Sequence, residues 1–417
     1  MGGAVEVGDR VHWIGALDPD LRTFDIILKT ANGTTYNAYT VRGSEGVAVI
    51  DTVKHEFADV FFQRLEEVAD YSEITALVLN HLEPDHTGAV PELLRRAPGA
   101  HIYVSHRGVK VLRALLKDDF DKYKCTMVDT GDEVSLGDRT LSFFCTPYVH
   151  WPDTQCTYLQ ESALLFTCDL LGCHFCDDRL FNDRVGDFRF AFEYYFEHIM
   201  RPFRRYVVQA LDLIEPLEIE TIAPSHGPVL RSHPRQYLQH YRRLVKSKLQ
   251  SEVDGGEQTL LIFYVSAYGA TAQMARAIYE GASSIPHVRA SLYDLEGGEV
   301  DPFVDLIEEA DGLVFGTPTI NGDAVRPVWD LLSGLIDIDT RGKLGAAFGS
   351  YGWSGEAVRM VEDRMRGLKM RVPEEGVRIK LHPTEEELAA CLAFGESLSR
   401  HLTGEVAPKE IDFSSLG

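Results

Sequence analysis

ITALVLNHLEPDHTG, residues 74–88, decides how the first half of the chain folds. Ile74–Leu79 is a run of apolar and β-branched residues, the pattern of a short buried strand. It ends in a turn that carries His81, Glu83, Asp85 and His86. Pro84 is expected to keep helix out of the middle of that turn. Four metal-competent side chains within six positions make a poor core, because each buried polar group needs a partner or costs free energy. A bound metal is the natural partner.

Three later segments repeat this organisation, an apolar strand followed by a ligand-type residue at its tip. LSFFCTPYVHWPDT (141–154) delivers His150, ALLFTCDLLG (163–172) delivers Asp169, and IETIAPSHGPV (219–229) delivers His226. Each is followed within a few residues by Gly or Pro, which places it on a turn. Singly, a His or Asp at a strand end is more often structural than a ligand. Together they form a set.

Around these segments the chain alternates between hairpins and helices. Residues 34–52 read as a β-hairpin turning at 43–46, and residues 133–144 as a second one turning at Gly137 and Asp138. Apolar residues recur at helical spacing over 57–68, Val90–Arg96, Gly108–Leu116 and 234–249. Sheets with helices packed outside them are expected. DFRFAFEYYFEHIMRPF (187–203) reads as an amphipathic helix whose aromatic residues face the core.

Residues 251–258, SEVDGGEQ, combine charge with two glycines and no apolar face, the composition of a linker between domains 1–250 and 259–417. Beyond it the periodicity changes. TLLIFYVSAYGATAQMARAIYEGA is a continuous apolar strand, a loop of small residues and an amphipathic helix. DGLVFGTPTING and KLGAAFGSYGWSGEAV repeat the strand and Gly-rich loop. Strands alternating with helices, without hairpins, indicate a doubly wound parallel sheet that binds its ligand at the carboxyl ends of the strands. SAYGAT, 266–271, sets hydroxyls and free amides at a helix start, where a phosphate is attracted. Residues 318–321 and 350–355 would flank a flat ring, with Trp353 or Tyr351 stacking on it. No GxGxxG fingerprint for a dinucleotide accompanies them.

The formal net charge of −23 argues against a nucleic-acid partner, which needs a basic patch. The N-terminus lacks the basic flank and apolar core of a signal peptide, and no apolar run is long enough to span a bilayer, so a cytoplasmic location without membrane contact is expected. Seven cysteines, an odd number scattered through apolar segments, read as free thiols. The lone CHFC at 173–176 lacks the second pair that a zinc-ribbon or iron–thiolate site requires.

HLEPDH followed by His150, Asp169 and His226 resembles the metallo-β-lactamase superfamily, whose HxHxDH motif, distant His, bridging Asp and final His bind two metals on an αββα sandwich. Here Glu83 stands in place of the second motif His. A carboxylate there makes the site harder and more anionic, favouring iron over zinc. That substitution, and three loops matching FMN loops, resemble the flavodiiron proteins over nearly the whole chain. The resemblance implies one iron held by His81, Glu83 and His150, a second by Asp85, His86 and His226, and Asp169 bridging the two irons. It implies supporting, proton-supplying roles for His174 and Tyr195. In the second domain it assigns Ser266, Ala267, Tyr268, Gly269, Ala270 and Thr271 to the FMN phosphate. Pro318, Thr319, Ile320 and Asn321 fall on one side of the isoalloxazine, and Ser350, Tyr351, Gly352, Trp353, Ser354 and Gly355 on the other. Ala267 stands where Met is frequent and Ala270 where Asn is frequent.

The activity so implied is reduction of dioxygen to water, of nitric oxide to nitrous oxide, or of both, with electrons reaching FMN from rubredoxin or a similar carrier. A head-to-tail homodimer, possibly a dimer of dimers, would bring the flavin of one subunit to the iron of the other. Two rival readings are a two-zinc hydrolase with an attached flavodoxin, and a flavodoxin electron carrier whose first domain only docks.

Overall fold

The computed structural model describes residues 2–24, 28–246, 257–296 and 301–405. It divides into two compact units, Met1–Lys246 and Ser247–Gly417. Residues 251–256 of the expected linker lie outside the described residues, while Gln258 already belongs to the first strand of the second unit.

The first unit is a sandwich of two sheets. Ile74–Leu79 runs near the middle of a seven-stranded sheet, parallel to Val47–Ile50 on one side and His101–Ser105 on the other. The second sheet has five strands, of which Gln155–Leu159, Leu164–Cys168 and Thr221–Pro224 reach the site described below. Side-chain alternation sorts each strand between two cores. Ala76 and Val78 face Phe166 and Ala223 between the sheets, whereas Leu77, Leu79, Leu165 and Ile222 pack under the outer helices. The expected helices are present at Ala58–Val68, Val90–Arg96 and Gly108–Leu116. The last expected one is Pro234–Val245, shorter than 234–249, whose final three residues lie outside the described ones.

Three expectations need correction. Only Tyr39–Arg42 and Val47–Ile50 form the first hairpin; Thr34–Tyr36 instead pairs with Ala16–Asp18 in a separate two-stranded ribbon. Pro84 does not exclude helix from the metal turn. It starts the short helix Pro84–Thr87, at the one helical position where a missing N–H costs nothing. The run 187–203 is not one regular helix. An α-helix over Arg189–Tyr195 passes into a π-turn, Phe196–Met200, and a 3₁₀ turn, Arg201–Phe203, where Pro202 cannot continue the α ladder.

The second unit is a five-stranded sheet in the order Val288–Asp294, Gln258–Tyr264, Gly312–Gly316, Leu344–Tyr351, Val377–Lys380, with every neighbouring pair parallel. Leu260 and Ile262 pack against the helices Ala270–Ser283 and Glu385–Leu402, while Leu261 and Phe263 face the opposite layer with Val328, Leu331 and Val361. This is the expected doubly wound arrangement. Among the described residues no helix is long and apolar enough to cross a membrane.

Candidate metal centre and flavin cleft

The metal-competent residues come from both sheets of the first unit. His81, Glu83, Asp85 and His86 follow Ile74–Leu79; His150 precedes Gln155–Leu159; Asp169 and His226 follow Leu164–Cys168 and Thr221–Pro224. Asn80 joins the two sheets beside them. Its amide donates to Asp51 Oδ1 at 2.7 Å, its carbonyl accepts from the Gln155 amide at 2.9 Å, and its side-chain oxygen accepts from Thr157 Oγ1 at 2.7 Å. His150 adopts a left-handed backbone, φ 51°, which turns its ring back toward the opposite sheet's residues.

All seven side chains converge. His150 Nε2 lies 3.2 Å from Glu83 Oε2 and 2.9 Å from Asp169 Oδ2, and His81 Nε2 lies 3.2 Å from the same Glu83 oxygen. On the other side, His226 Nε2 is 3.1 Å from Asp85 Oδ2, and Asp169 Oδ1 is 3.3 Å from His86 Nε2 and 3.5 Å from His226 Nε2. Two atoms that bind one ion at about 2.1 Å and at right angles stand about 3.0 Å apart, so these spacings suit ligands sharing an ion. Asp169 gives one oxygen to each group.

The residues fit a metal pair on a second ground. Both oxygens of Asp85, both nitrogens of His86 and Oδ1 of Asp169 are buried without a hydrogen-bond partner among the described residues. Such groups carry a desolvation cost that a cation removes. Without an ion, protons take its place. Burial depresses the His150 imidazole, but hydrogen bonds to Asp169 and Glu83 outweigh it and push it up to about 10. Burial opposes ionisation of Glu83, yet His150 and His81 hold it well below the usual carboxylate range. The third buried group of ligand type, His86, Asp169 and Cys168, adds a thiol that burial keeps protonated.

His174 and Tyr195 stand beside this cluster. The His174 ring centroid is 5.2 Å from that of His226 and 4.9 Å from that of Tyr195. Its Nδ1 pairs with Thr34 Oγ1 at 2.9 Å, its Nε2 is buried without a partner among the described residues, and burial with the nearby His226 keeps it neutral. Burial, then the Asp169 charge, holds the phenolic proton on Tyr195.

Sequence reading missed several contributors. His81 Nδ1 pairs with Asp153 Oδ2 at 2.9 Å and His226 Nδ1 donates to the Thr35 carbonyl at 2.6 Å. The available signal for Asp153 is a carboxylate three positions after His150, in the same loop. Thr34 and Thr35 gave none. Gly227 bends away at φ 79°, and a Cβ there would meet Cys173 Sγ at 2.6 Å. Cys173 and Cys176 are free thiols, as are the other five cysteines.

In the second unit the strand ends meet at a cleft of about 330 Å3, lined by Ala267, Tyr268, Ala270, Pro318, Thr319, Ile320, Ser350, Tyr351 and Gly352, together with Leu381 and His382. His382 enters this lining from beyond the last strand of the sheet. Gly269, at φ 84°, turns the chain into the helix Ala270–Ser283, whose first amides have no partner within the helix. Ser266 Oγ accepts from the Ala272 amide at 3.1 Å, and Thr271 Oγ1 pairs with Ser350 Oγ at 2.8 Å, bracing the loop from behind. Asn321 takes a left-handed turn at φ 54° beside the cleft loops. Trp353 is 93% exposed and, with Ser354 and Gly355, lies outside the lining. A helix start beside a largely apolar cleft fits a phosphate joined to a planar ring.

Residues 34–227 match the family model described as ODP family beta lactamase, and residues 262–395 that of flavodoxin. The chain is 69% identical to the type A flavoprotein fprA of Rhodobacter capsulatus, over 99% of this chain and 95% of that protein. It is 35% identical to the flavo-diiron protein FprA2 of Clostridium acetobutylicum and 32% identical to the nitric oxide reductase of Moorella thermoacetica, in each case over 96% of this chain and 100% of the relative. Rubredoxin oxygen:oxidoreductase of Desulfovibrio gigas has a similar structure, with a TM-score of 0.64 at 26% identity, covering 97% of this chain and 100% of that one. A carboxylate-rich double cluster of ligand-type residues on the sandwich, a cleft at the strand ends of the parallel sheet, and relatives matched over nearly their whole length all agree: the chain belongs to the flavodiiron protein family.

Proposed function

We propose that the chain is a cytoplasmic oxidoreductase that reduces dioxygen to water, nitric oxide to nitrous oxide, or both. The observation that carries this reading is Asp169, whose two oxygens address two separate sets of imidazole and carboxylate donors. His81, Glu83 and His150 would hold one iron, Asp85, His86 and His226 the other, and Asp169 both. Three carboxylates and four imidazoles offset most of the charge of an iron pair, and Glu83 favours iron over zinc. When bound, the irons supply electrons and a coordination site for the gas, and FMN supplies electrons received from rubredoxin or a similar carrier. Ser266 to Thr271 would bind the flavin phosphate, with the 318–321 and 350–355 loops about the ring.

Reduction of either gas consumes protons, and His174 and Tyr195 are the groups assigned to hold and hand them on. A neutral, buried imidazole with a free nitrogen can donate or accept a hydrogen bond without bringing charge into the site. Division of labour between a domain of residues 1–250 and one of 259–417 requires electrons to cross between them. We assign that step to a head-to-tail homodimer, possibly paired again.

Metal and flavin analysis of anaerobically purified protein, followed by consumption of each gas by the reduced enzyme, tests the reading. Iron with FMN, and gas uptake lost in Glu83→Ala at unchanged flavin content, is expected. Two zinc ions and hydrolytic turnover, or full electron-carrier activity in Glu83→Ala, would replace it with one of the rival readings.

A further inference from the structure

The seven donors are alike in kind, but what stands behind their imidazoles is not. Nδ1 of His81 lies 2.9 Å from Oδ2 of Asp153, a carboxylate with no exposed surface. The Leu82 amide donates to the same oxygen at 2.8 Å. That amide also lies 3.0 Å from His81 Nδ1, but the anion is the stronger acceptor. A carboxylate only accepts, so the proton sits on Nδ1 and leaves Nε2 with its lone pair toward Glu83 and Asp169. Asp153 is itself pinned in place. Its carbonyl accepts from Ser105 Oγ at 2.7 Å, and that oxygen accepts from the Gly108 amide at 3.1 Å, at the start of the helix Gly108–Leu116.

Among the described residues, no imidazole of the opposite cluster has its Nδ1 on a carboxylate. His226 Nδ1 meets a neutral carbonyl, that of Thr35, and His86 Nδ1 has no partner among the described residues. Asp51, a buried carboxylate outside the seven donors, accepts from the Asn80 amide at 2.7 Å, and among the described residues no imidazole is its hydrogen-bond partner. Oδ1 of Asp153 is buried without a partner among the described residues, so as a packing element alone the residue is a net cost.

We infer that Asp153 is a positioning residue that makes the two metal positions unequal. A full negative charge behind His81 raises the basicity of that ligand. The ion at His81, Glu83 and His150 is therefore held more tightly and kept more readily in its higher oxidation state. The ion at Asp85, His86 and His226 leaves first. This inference rests on the two-iron reading above.

The test is chelator-driven iron release from the holoenzyme, followed together with Mössbauer spectra of the iron left behind. Wild type is expected to lose its irons in two steps. Asp153→Asn keeps an oxygen for Nδ1–H but removes the charge, and should weaken the tighter position by about 10- to 100-fold, merging the steps, with FMN content unchanged. Ser105→Ala leaves the charge but loosens its mount, and should move the slow step in the same direction by less. It serves where the Asn variant does not fold. Two-step release in both variants indistinguishable from wild type, or single-step release from wild type, overturns the inference while leaving the two-iron reading intact. Wild type that holds no iron pair at all is the separate result that sinks the reading itself.

Discussion

Asp169 turns one carboxylate oxygen to His150, 2.9 Å from its Nε2, and so keeps the other for the opposite cluster, where His86 stands at 3.3 Å. Truncation of this one side chain should therefore cost both ions, not one. Asp169→Ala is expected to purify with FMN but without an iron pair, whereas Asp85→Ala should retain iron at the His81 position. Equal, partial iron loss in the two variants would contradict a shared carboxylate.

Ion-free and metal-loaded protein should respond to pH in opposite senses. In the ion-free chain the His150 pKa is raised from 6.5 to about 10, so its protonated form contributes stability that is fully present below 6.5 and lost as the pH climbs through about 10. Metal needs the same nitrogen unprotonated, so loading releases protons and strengthens with rising pH. Thermal melts at neutral pH and above pH 10, with and without iron, check this. Ion-free protein should lose the larger share of its melting temperature on the alkaline side.

Tyr351 lines the flavin cleft and Trp353 does not. Tyr351→Ala should lower FMN affinity by about 5- to 10-fold, the value of about 1 kcal/mol for one stacked aromatic contact. Trp353→Ala should change it by less than about 2-fold. Fluorescence titration of the flavin-free protein separates the two, and the reverse order would move the ring to the other side of its loop.

Phe166 is 1% exposed and fills the space between the two sheets of the first unit. Phe166→Ala should destabilise that unit by about 3–5 kcal/mol, the range for a truncated buried aromatic. The second unit has its own cores and should unfold in denaturant as before. Flavin fluorescence and total tryptophan emission, followed together, should then part into two transitions.

If flavin and irons work across a pair of chains, two crippled proteins should rescue one another. Glu83→Ala keeps its flavin, and the unaltered chain stripped of FMN keeps its irons. Mixed and allowed to exchange subunits, they should regain part of the gas-reducing activity that neither has alone. No recovery after proven exchange would place the electron transfer within one chain.

The candidate ligand residues were legible because they are chemically out of place. His81, Asp169 and His226 each interrupt an apolar strand at its end, and a polar residue in that position needs a reason. The parallel sheet was legible from the same alternation of apolar strand and small-residue loop. What escaped is what depends on distance in the fold. Thr35 serves His226 through its backbone carbonyl, which carries no residue signature. Leu381 and His382 reach the flavin cleft from the end of the last strand, far from the three loops that announce it. Pro84 was misread because the rule against proline in helices fails at the first helical position. The π-turn after Tyr195 has the same apolar spacing as the helix it interrupts, so periodicity could not reveal it.

Because His81 to His86 follow a strand of one sheet and His150, Asp169 and His226 flank strands of the other, ions held by them would tie the halves of the sandwich together much as a disulfide does. The bridge spans a loop running from His81 to His226, and a long closed loop restricts the unfolded chain strongly. The cofactor would then also be a fastener. Stripping it should leave a sandwich whose edges fray, open to proteases at the very turns that otherwise carry the chemistry.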